Sequence, residues 1–560
     1  MQSKRIKGKP RPIVLESLGS TEMLIKRLQN QKSSSIQKSF SHGAVAALLK
    51  LAKKLDVVTT INKHTASQRE YWGNQPLRNN LTAGATILLA AIGRVCEPTS
   101  KRAWAEWSQG TSCDHLLRIS SENVDSQHFW DLMDCIPEDA IELIETEILE
   151  NVFKHYPLQE GTLLYDTTNF HTFIHTENDR CDIAQRGKNK QKRNDLRQVG
   201  MALTVTQESY IPLIHYTYQG NINDSKVFFK VISIVKKRMQ LLKIDISQQT
   251  IVFDRGCNSK TNLKKVKRLN LYYVGALTPT HHQELLNDAE GNYMQVKVGD
   301  NELDVYRDTR EIWGEQRTVL VFISEKLLKG QLRGVYQSLE KNKKRLRAIQ
   351  RALSNPKAKQ RTKENLESLL KKILKGQFMD GLISYTLKEN KPGHWDLSYC
   401  TEQKKISELE DRLGFRIIMT NRHNWETEKI IASYYGQSTV EGAFKNIKNP
   451  YHLAVRPQFH WTTHKIKVHY FACVLGYLLS TLIQHDAKKS GFQGCLDTLL
   501  DQLGSIRLIR SIEGIGKKGR PKITFELEEL SLSQKALLDA LELSSTHLTS
   551  IKIEGLNAYA

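Results

Sequence analysis

Twice in this chain an apolar run of strand character stops on an aspartate: GTLLYDTTNF carries Asp166 and TIVFDRGCNS carries Asp254. Short apolar runs bounded by turn residues read as buried strands. Between them lie VGMALTVT and YIPLIHYTYQG, separated by Gln207, Glu208 and Ser209 and so read as a hairpin. Gly220-Asn221 ends that hairpin, and Asp224-Ser225 can cap an amphipathic helix over 226–242. A second helix begins near Ser259, and YYVGALT is a further strand. The order strand, strand, strand, helix, strand, helix, strand makes this stretch α/β. In such sheets ligands gather at the carboxyl ends of strands, where both aspartates fall.

A third acid stands in YYGQSTVEGAFKNIK, residues 434–448, just after the strand-like FRIIMTN. Tyr434, Glu441 and Lys448 recur every seven residues, so all three project from one side of a helix, beside a stripe of Val440, Phe444 and Ile447. A solvated salt-bridge face with Lys445 and Lys448 is the plain alternative. Each aspartate likewise has a plain reading as a turn or cap residue. Taken together, three oxygen donors without His or Cys partners suit Mg²⁺ or Mn²⁺. Two such ions activate one oxygen and stabilise another in phosphoryl transfer.

The rest of the chain sets the context. A length of 560 residues exceeds one core, and a formal net charge of +22 spread along the chain points to a polyanion, nucleic acid before an acidic membrane. Eight cysteines without a C-x-x-C pair exclude a zinc knuckle and suit a reducing cytosol. MQSKRIKGKPRP lacks the apolar stretch of a signal peptide, and the uncharged run 470–484 is too short to span a bilayer and reads as a core helix. Residues 41–158 have helical periodicity and carry Arg102, Trp104 and Trp107, with DNA binding and plain scaffolding both open. A basic segment holds Arg180, Arg186, Lys188, Lys190, Lys192, Arg193 and Arg197. Beyond 280, strand-like pieces precede a heptad seam from Leu332 to Leu353 and a partner helix at 366–374, a basic helical hairpin whose charges are either a solvated face or a DNA contact. Near the end, Gly519-Arg520-Pro521 is either a minor-groove hook or a basic hairpin turn.

The motifs resemble those of bacterial insertion-sequence transposases of the DDE type, specifically the insertion sequence 4 group. LLYDTTNF and TIVFDRGCNSKTN match the first two acid motifs, and Tyr434, Glu441 and Lys448 match the Tyr-x2-Arg-x3-Glu-x6-Lys signature. Gln437 stands where that signature has arginine. DLRQVGMALTV, GNINDSK and AVAALLKLAKKLDVV are similar to further family stretches, and the resemblance covers most of residues 41–485.

The resemblance implies a ribonuclease H-like mixed sheet flanked by helices, interrupted by an insertion domain and preceded by an all-helical domain. Its division would be a basic arm (1–40), a helical, DNA-binding domain (41–158), the catalytic core (159–280 and 415–486), an insertion domain (281–414) and a basic C-terminal region (487–560). It implies a triad of Asp166, Asp254 and Glu441 holding two Mg²⁺ or Mn²⁺ ions, hydrolysis at element ends, and attack of the freed 3′-hydroxyl on target DNA. Tyr434, Gln437, Lys445, Lys448, Arg255 and Arg197 become candidate DNA contacts. Trp313 is a candidate platform for a flipped base, with packing as its other reading, and Asn221 and Asp224 are candidates for orienting the acids. The implied partner is double-stranded DNA, both inverted repeats and target, bound by a homodimer in the bacterial cytoplasm at the nucleoid. A metal-dependent nuclease that does not integrate, and a non-catalytic architectural DNA-binding protein, are the competing readings. His464 and His469 lack a carboxylate or cysteine at ligand spacing, which favours core or phosphate contacts over metal.

Overall fold

β-Branched and aromatic side chains fill the strand-like runs because they pack well on a pleated surface. The computed structural model describes residues 2–6, 9–13, 20–22, 25, 36–65, 78–158, 161–189, 193–355, 359–513, 522–554 and 556. Its strands are β1 (Gln2–Ile6), β2 (Lys9–Ile13), β3 (Ile36–Ser41), β4 (Gly161–Thr172), β5 (Gln185–Arg186), β6 (Arg197–Thr206), β7 (Pro212–Gln219), β8 (Gln249–Phe253) and β9 (Tyr272–Leu277). They continue with β10 (Met294–Val298), β11 (Asn301–Glu311), β12 (Gln316–Ile323), β13 (Ile383–Lys391), β14 (His394–Thr401), β15 (Phe415–Thr420), β16 (Arg507–Glu513) and β17 (Lys522–Leu527).

Among the described residues a ten-stranded mixed sheet dominates, in the order β10-β11-β12-β15-β9-β8-β4-β6-β5, with β7 also on β6. β4, β8 and β9 run parallel, and β6 and β15 run against them. Parallel neighbours need crossovers, which the helices Asp224–Leu241 and Lys260–Arg268 supply. Every residue of β6 and β8 is buried, as expected for strands covered on both faces. On one face Phe228 of helix Asp224–Leu241 meets the rings of Tyr165 and Phe253. On the other, Tyr470 of helix Thr463–Lys489 meets Phe170.

Helix Thr463–Lys489 is long and apolar enough to cross a membrane, which corrects the expectation of a run too short to do so. It is nonetheless a core helix, with 94% of its most apolar window buried in the protein. Helix Ala83–Cys96 packs along it; a Cβ on Gly476 would stand 3.1 Å from the Ala91 carbonyl oxygen, a tight contact that glycine avoids. The apolar side chains of the N-terminal helices thereby join the same core as the sheet.

Three expectations change. β10, β11 and β12 were assigned to the interrupting segment, yet they extend the main sheet, because β12 pairs with β15. A separate core, containing Val335, Leu346, Leu370 and Leu397, lies beyond β12 between helix Glu325–Leu353, helix Lys363–Leu374 and the β13–β14 hairpin. The end of the basic arm is also not free: β3 pairs with β16, whose other neighbour is β17. Finally, the helix after β7 is capped by Asn223, whose side chain accepts from the Ser225 amide, and not by Asp224 or Ser225.

Candidate active site

Asp166 and Asp254 stand side by side. β4 and β8 are in parallel register up to Tyr165 opposite Phe253, and each aspartate is the next residue along its strand. Neighbouring strands lie about 4.8 Å apart, and side chains alternate between faces. Tyr165 and Phe253 point toward helix Asp224–Leu241, so both aspartates point to the opposite face. β8 ends there, and Asp254 caps the turn Arg255–Cys257. β4 continues, with Asp166 opposite Leu203 of β6. One carboxylate oxygen of each aspartate accepts from the following amide, Thr167 N at 2.7 Å and Arg255 N at 2.6 Å.

Asp224 is drawn into the same neighbourhood by the return of the chain after β7. Burial pushes the Cys257 thiol up, and the negative charges of Asp224, Asp166 and Asp254 push it further. The charges of all three carboxylates are thus felt at one buried thiol near the end of the parallel strand pair. Asn221 is exposed on the turn that leads to Asp224.

Glu441 lies on helix Gln437–Ile447, which follows helix Thr427–Tyr435 through Gly436 at helical dihedrals (φ −54°, ψ −19°). Two contacts tie this helical run to β4: the Thr162 hydroxyl donates to Ser433 Oγ at 3.2 Å, and Lys448 Nζ donates to Thr168 Oγ1. From Thr162 to Asp166 is four strand residues, about 13 Å. From Ser433 to Glu441 is eight helical residues, about 12 Å. Glu441 therefore stands level with Asp166. Its side chain is exposed, and among the described residues no group of three or more His, Cys, Asp and Glu side chains is gathered as a metal site. The backbone sets the three acids at one height without closing them into a cage.

Tyr434 is buried, and its hydroxyl accepts from Arg416 of β15 at 3.2 Å. Burial raises its pKa, Arg416 lowers it and Asp254 raises it, which puts Tyr434 in the neighbourhood of Asp254. Arg255 is exposed beside Asp254, Lys445 is exposed one turn past Glu441, and Gln437 is half-buried at the first turn of its helix.

Two candidates fall elsewhere. Arg197 is buried and donates to the carbonyls of His175, Asn178, Cys181 and Ala184; it ties down the segment after β4 and offers nothing to a phosphate. Trp313 sits in the β11–β12 turn at φ +54°, packed on the main core. β12 runs in the same direction as β9, β8 and β4, so this turn lies at the amino ends of the strands, opposite the acids. His464 and His469 hydrogen-bond the carbonyls of Ile136 and Val455. The half-buried His464 also lies 3.8 Å from Asp134, and the buried His469 has Cys473 Sγ, four residues on, 3.8 Å from its Nε2, so the expectation of no carboxylate or cysteine nearby does not hold. Lys190, Lys192 and Gly519-Arg520-Pro521 lie outside the described residues.

Two further residues belong to the site. Thr168 was legible, since strand alternation puts it on the face of Asp166. Arg416 was not, because its contact depends on how the helix after β15 folds back over that strand.

No protein-family model matches the chain, and neither does any curated protein. Among solved structures the chain is similar to a piggyBac transposase synaptic complex with hairpin DNA, determined by electron cryo-microscopy, at a TM-score of 0.38. Identity is 11%, over 81% of this chain and 79% of that one.

Proposed function

We propose that this chain is a DNA transposase of the DDE type. It would cut element ends by metal-dependent phosphodiester hydrolysis and join the freed 3′-hydroxyl to target DNA. The observation that carries the reading is the adjacency of Asp166 and Asp254 at the end of a parallel strand pair, with Glu441 level on the helix packed over the same face. The three motifs that resemble the insertion sequence 4 group, and the net charge of +22, support it.

The donor set fits Mg²⁺ or Mn²⁺ in its first two members: two carboxylates on adjacent strands, oxygen donors of the kind hard cations take. Asp166 and Asp254 would hold the cations, and the exposed Glu441 would complete the set by turning toward β4. When bound, a pair of divalent ions activates an attacking oxygen and stabilises a leaving one. Lys448, anchored at Thr168 two residues beyond Asp166, holds a phosphate of the end strand. Arg255 and the Arg416–Tyr434 pair flank the other side. Gln437 donates one neutral hydrogen bond where arginine would supply a charged fork. Asn221 and Asp224 orient the acids from the turn after β7. The working form is a dimer on paired DNA ends.

A second reading, an architectural DNA-binding protein with remnant acids, is favoured by one observation: no three acids are gathered for a metal among the described residues. Incubation with Mg²⁺ and a labelled inverted-repeat end separates the readings. Cutting followed by joining is the expected result. Cutting alone makes the chain a nuclease, and salt-sensitive binding without cutting overturns the catalytic reading.

A further inference from the structure

Beyond the acids, β4 leads to a second feature. Arg456 hydrogen-bonds His171, and Phe173 is 77% exposed just after the strand. The chain is then zipped to residues 461–463: Asn178 donates to the Trp461 carbonyl at 2.8 Å, and Thr463 N donates to the Arg180 carbonyl at 3.2 Å. This joint opens into a cavity of about 1250 Å³ between the N-terminal helices and residues 457–465. That exceeds the ~300–1,000 Å³ of small-ligand pockets, so a polymer fits better than a metabolite.

The lining is aromatic and cationic. Trp130 stacks on Trp461 with centroids 5.5 Å apart and is parallel to His460 at 6.4 Å. The Arg180 guanidinium lies over Trp461 at 5.0 Å. Phe459 is 68% exposed, an unusual state for a phenylalanine that lines a cavity. The two acids in the wall are already matched, Asp134 with Lys465 at 2.7 Å and Glu138 with Lys467. Burial and then the nearby Arg94 lower Lys101 to about 7, and among the described residues no carboxylate pairs with Arg102 or Arg180, so the positive surplus of the cavity rests on these two guanidiniums. His460 is 6% exposed, and its Nδ1 has no hydrogen-bond partner among the described residues.

We propose that this cavity binds an unpaired segment of a DNA strand, with a base on the exposed Phe459 near Trp461 and phosphates on Arg102 and Arg180. Aromatic platforms in a basic groove are what single strands need, because every base has a face to stack. The proposal rests on the reading of the acids as a strand-cleaving site. From Asp166 to the end of β4 is six residues, about 20 Å, or about six base steps. The cavity therefore takes a segment of strand several nucleotides away from the bond being cut.

The test uses the intact chain and an oligonucleotide of about ten nucleotides carrying 2-aminopurine, without divalent metal. The single strand should bind with quenched fluorescence. Phe459→Ala and Trp461→Ala should each weaken binding about tenfold and relieve the quench. Arg102→Ala should instead lower the salt slope by about 0.7. Phe459 is exposed enough for its variant to fold, which a matching thermal unfolding curve verifies. Wild-type affinity and quench in Phe459→Ala overturn the assignment. Cutting of a labelled end is read separately: quenched binding with no cutting by the wild-type chain removes the cleavage reading alone, and cutting without quenched binding removes the cavity alone.

Discussion

At the scale of single residues, charge and burial decide which cations face DNA. Arg197 sits in a basic segment, yet its guanidinium is spent on four carbonyls inside the protein. Arg197→Ala should therefore cost stability, about 2–4 kcal/mol for the unsatisfied buried carbonyls. The salt slope of DNA binding should stay unchanged; a slope lowered by about one would return Arg197 to the DNA surface. Gln437 shows the converse. A guanidinium does stand against Tyr434, but it comes from Arg416 on β15, a residue that no local motif marks.

At the scale of elements, one helical run fixes the site by its two ends, Ser433 on Thr162 and Lys448 on Thr168. Lys448→Ala should weaken binding of end DNA and reduce the salt slope by about one phosphate contact, with thermal stability little changed. An unchanged slope would show that Lys448 only holds Thr168. That Asp254 follows a strand and Glu441 lies on a helix was legible because both signals are local, whereas β4 runs on to Thr172, so Asp166 lies within its strand and does not end it. The capping residue was misread by one position, since Asn223 and Asp224 are both good caps and only the turn geometry chooses. β10 to β12 were misassigned because partner choice in a sheet is non-local: nothing within TVLVFIS says that it pairs with FRIIMTN about a hundred residues later. The β13–β14 hairpin escaped notice because β13 is largely exposed and buries only Ile383. Trp313 is a DNA candidate only through the family resemblance, and strand direction puts it at the end of the sheet opposite the acids.

At the scale of the whole molecule, the sheet and the N-terminal helices share one core, and buried histidines are built into it. Burial holds His42 and His128 down to about 4, with neighbouring cationic groups adding to it, and holds His460 and His469 well below the usual range. Their folded values lie below the unfolded value near 6.5, so the unfolded chain binds protons first as pH falls. The stability they protect is complete above pH 6.5 and is lost between there and about 4. At pH 5, His42 and His128 should each cost about 2 kcal/mol. A urea midpoint that falls steadily from pH 7 to pH 5 is the expected result, and a flat midpoint would show these rings already charged or solvated.

The least secured member of the acid set is Glu441, level with Asp166 yet exposed. The decisive measurement is single-turnover cutting of a labelled inverted-repeat end in Mg²⁺ by Glu441→Gln beside the wild-type chain. A loss of roughly a hundredfold or more in rate, with end binding within about twofold, is the result expected of a third metal ligand. Cutting by Glu441→Gln at the wild-type rate would contradict it.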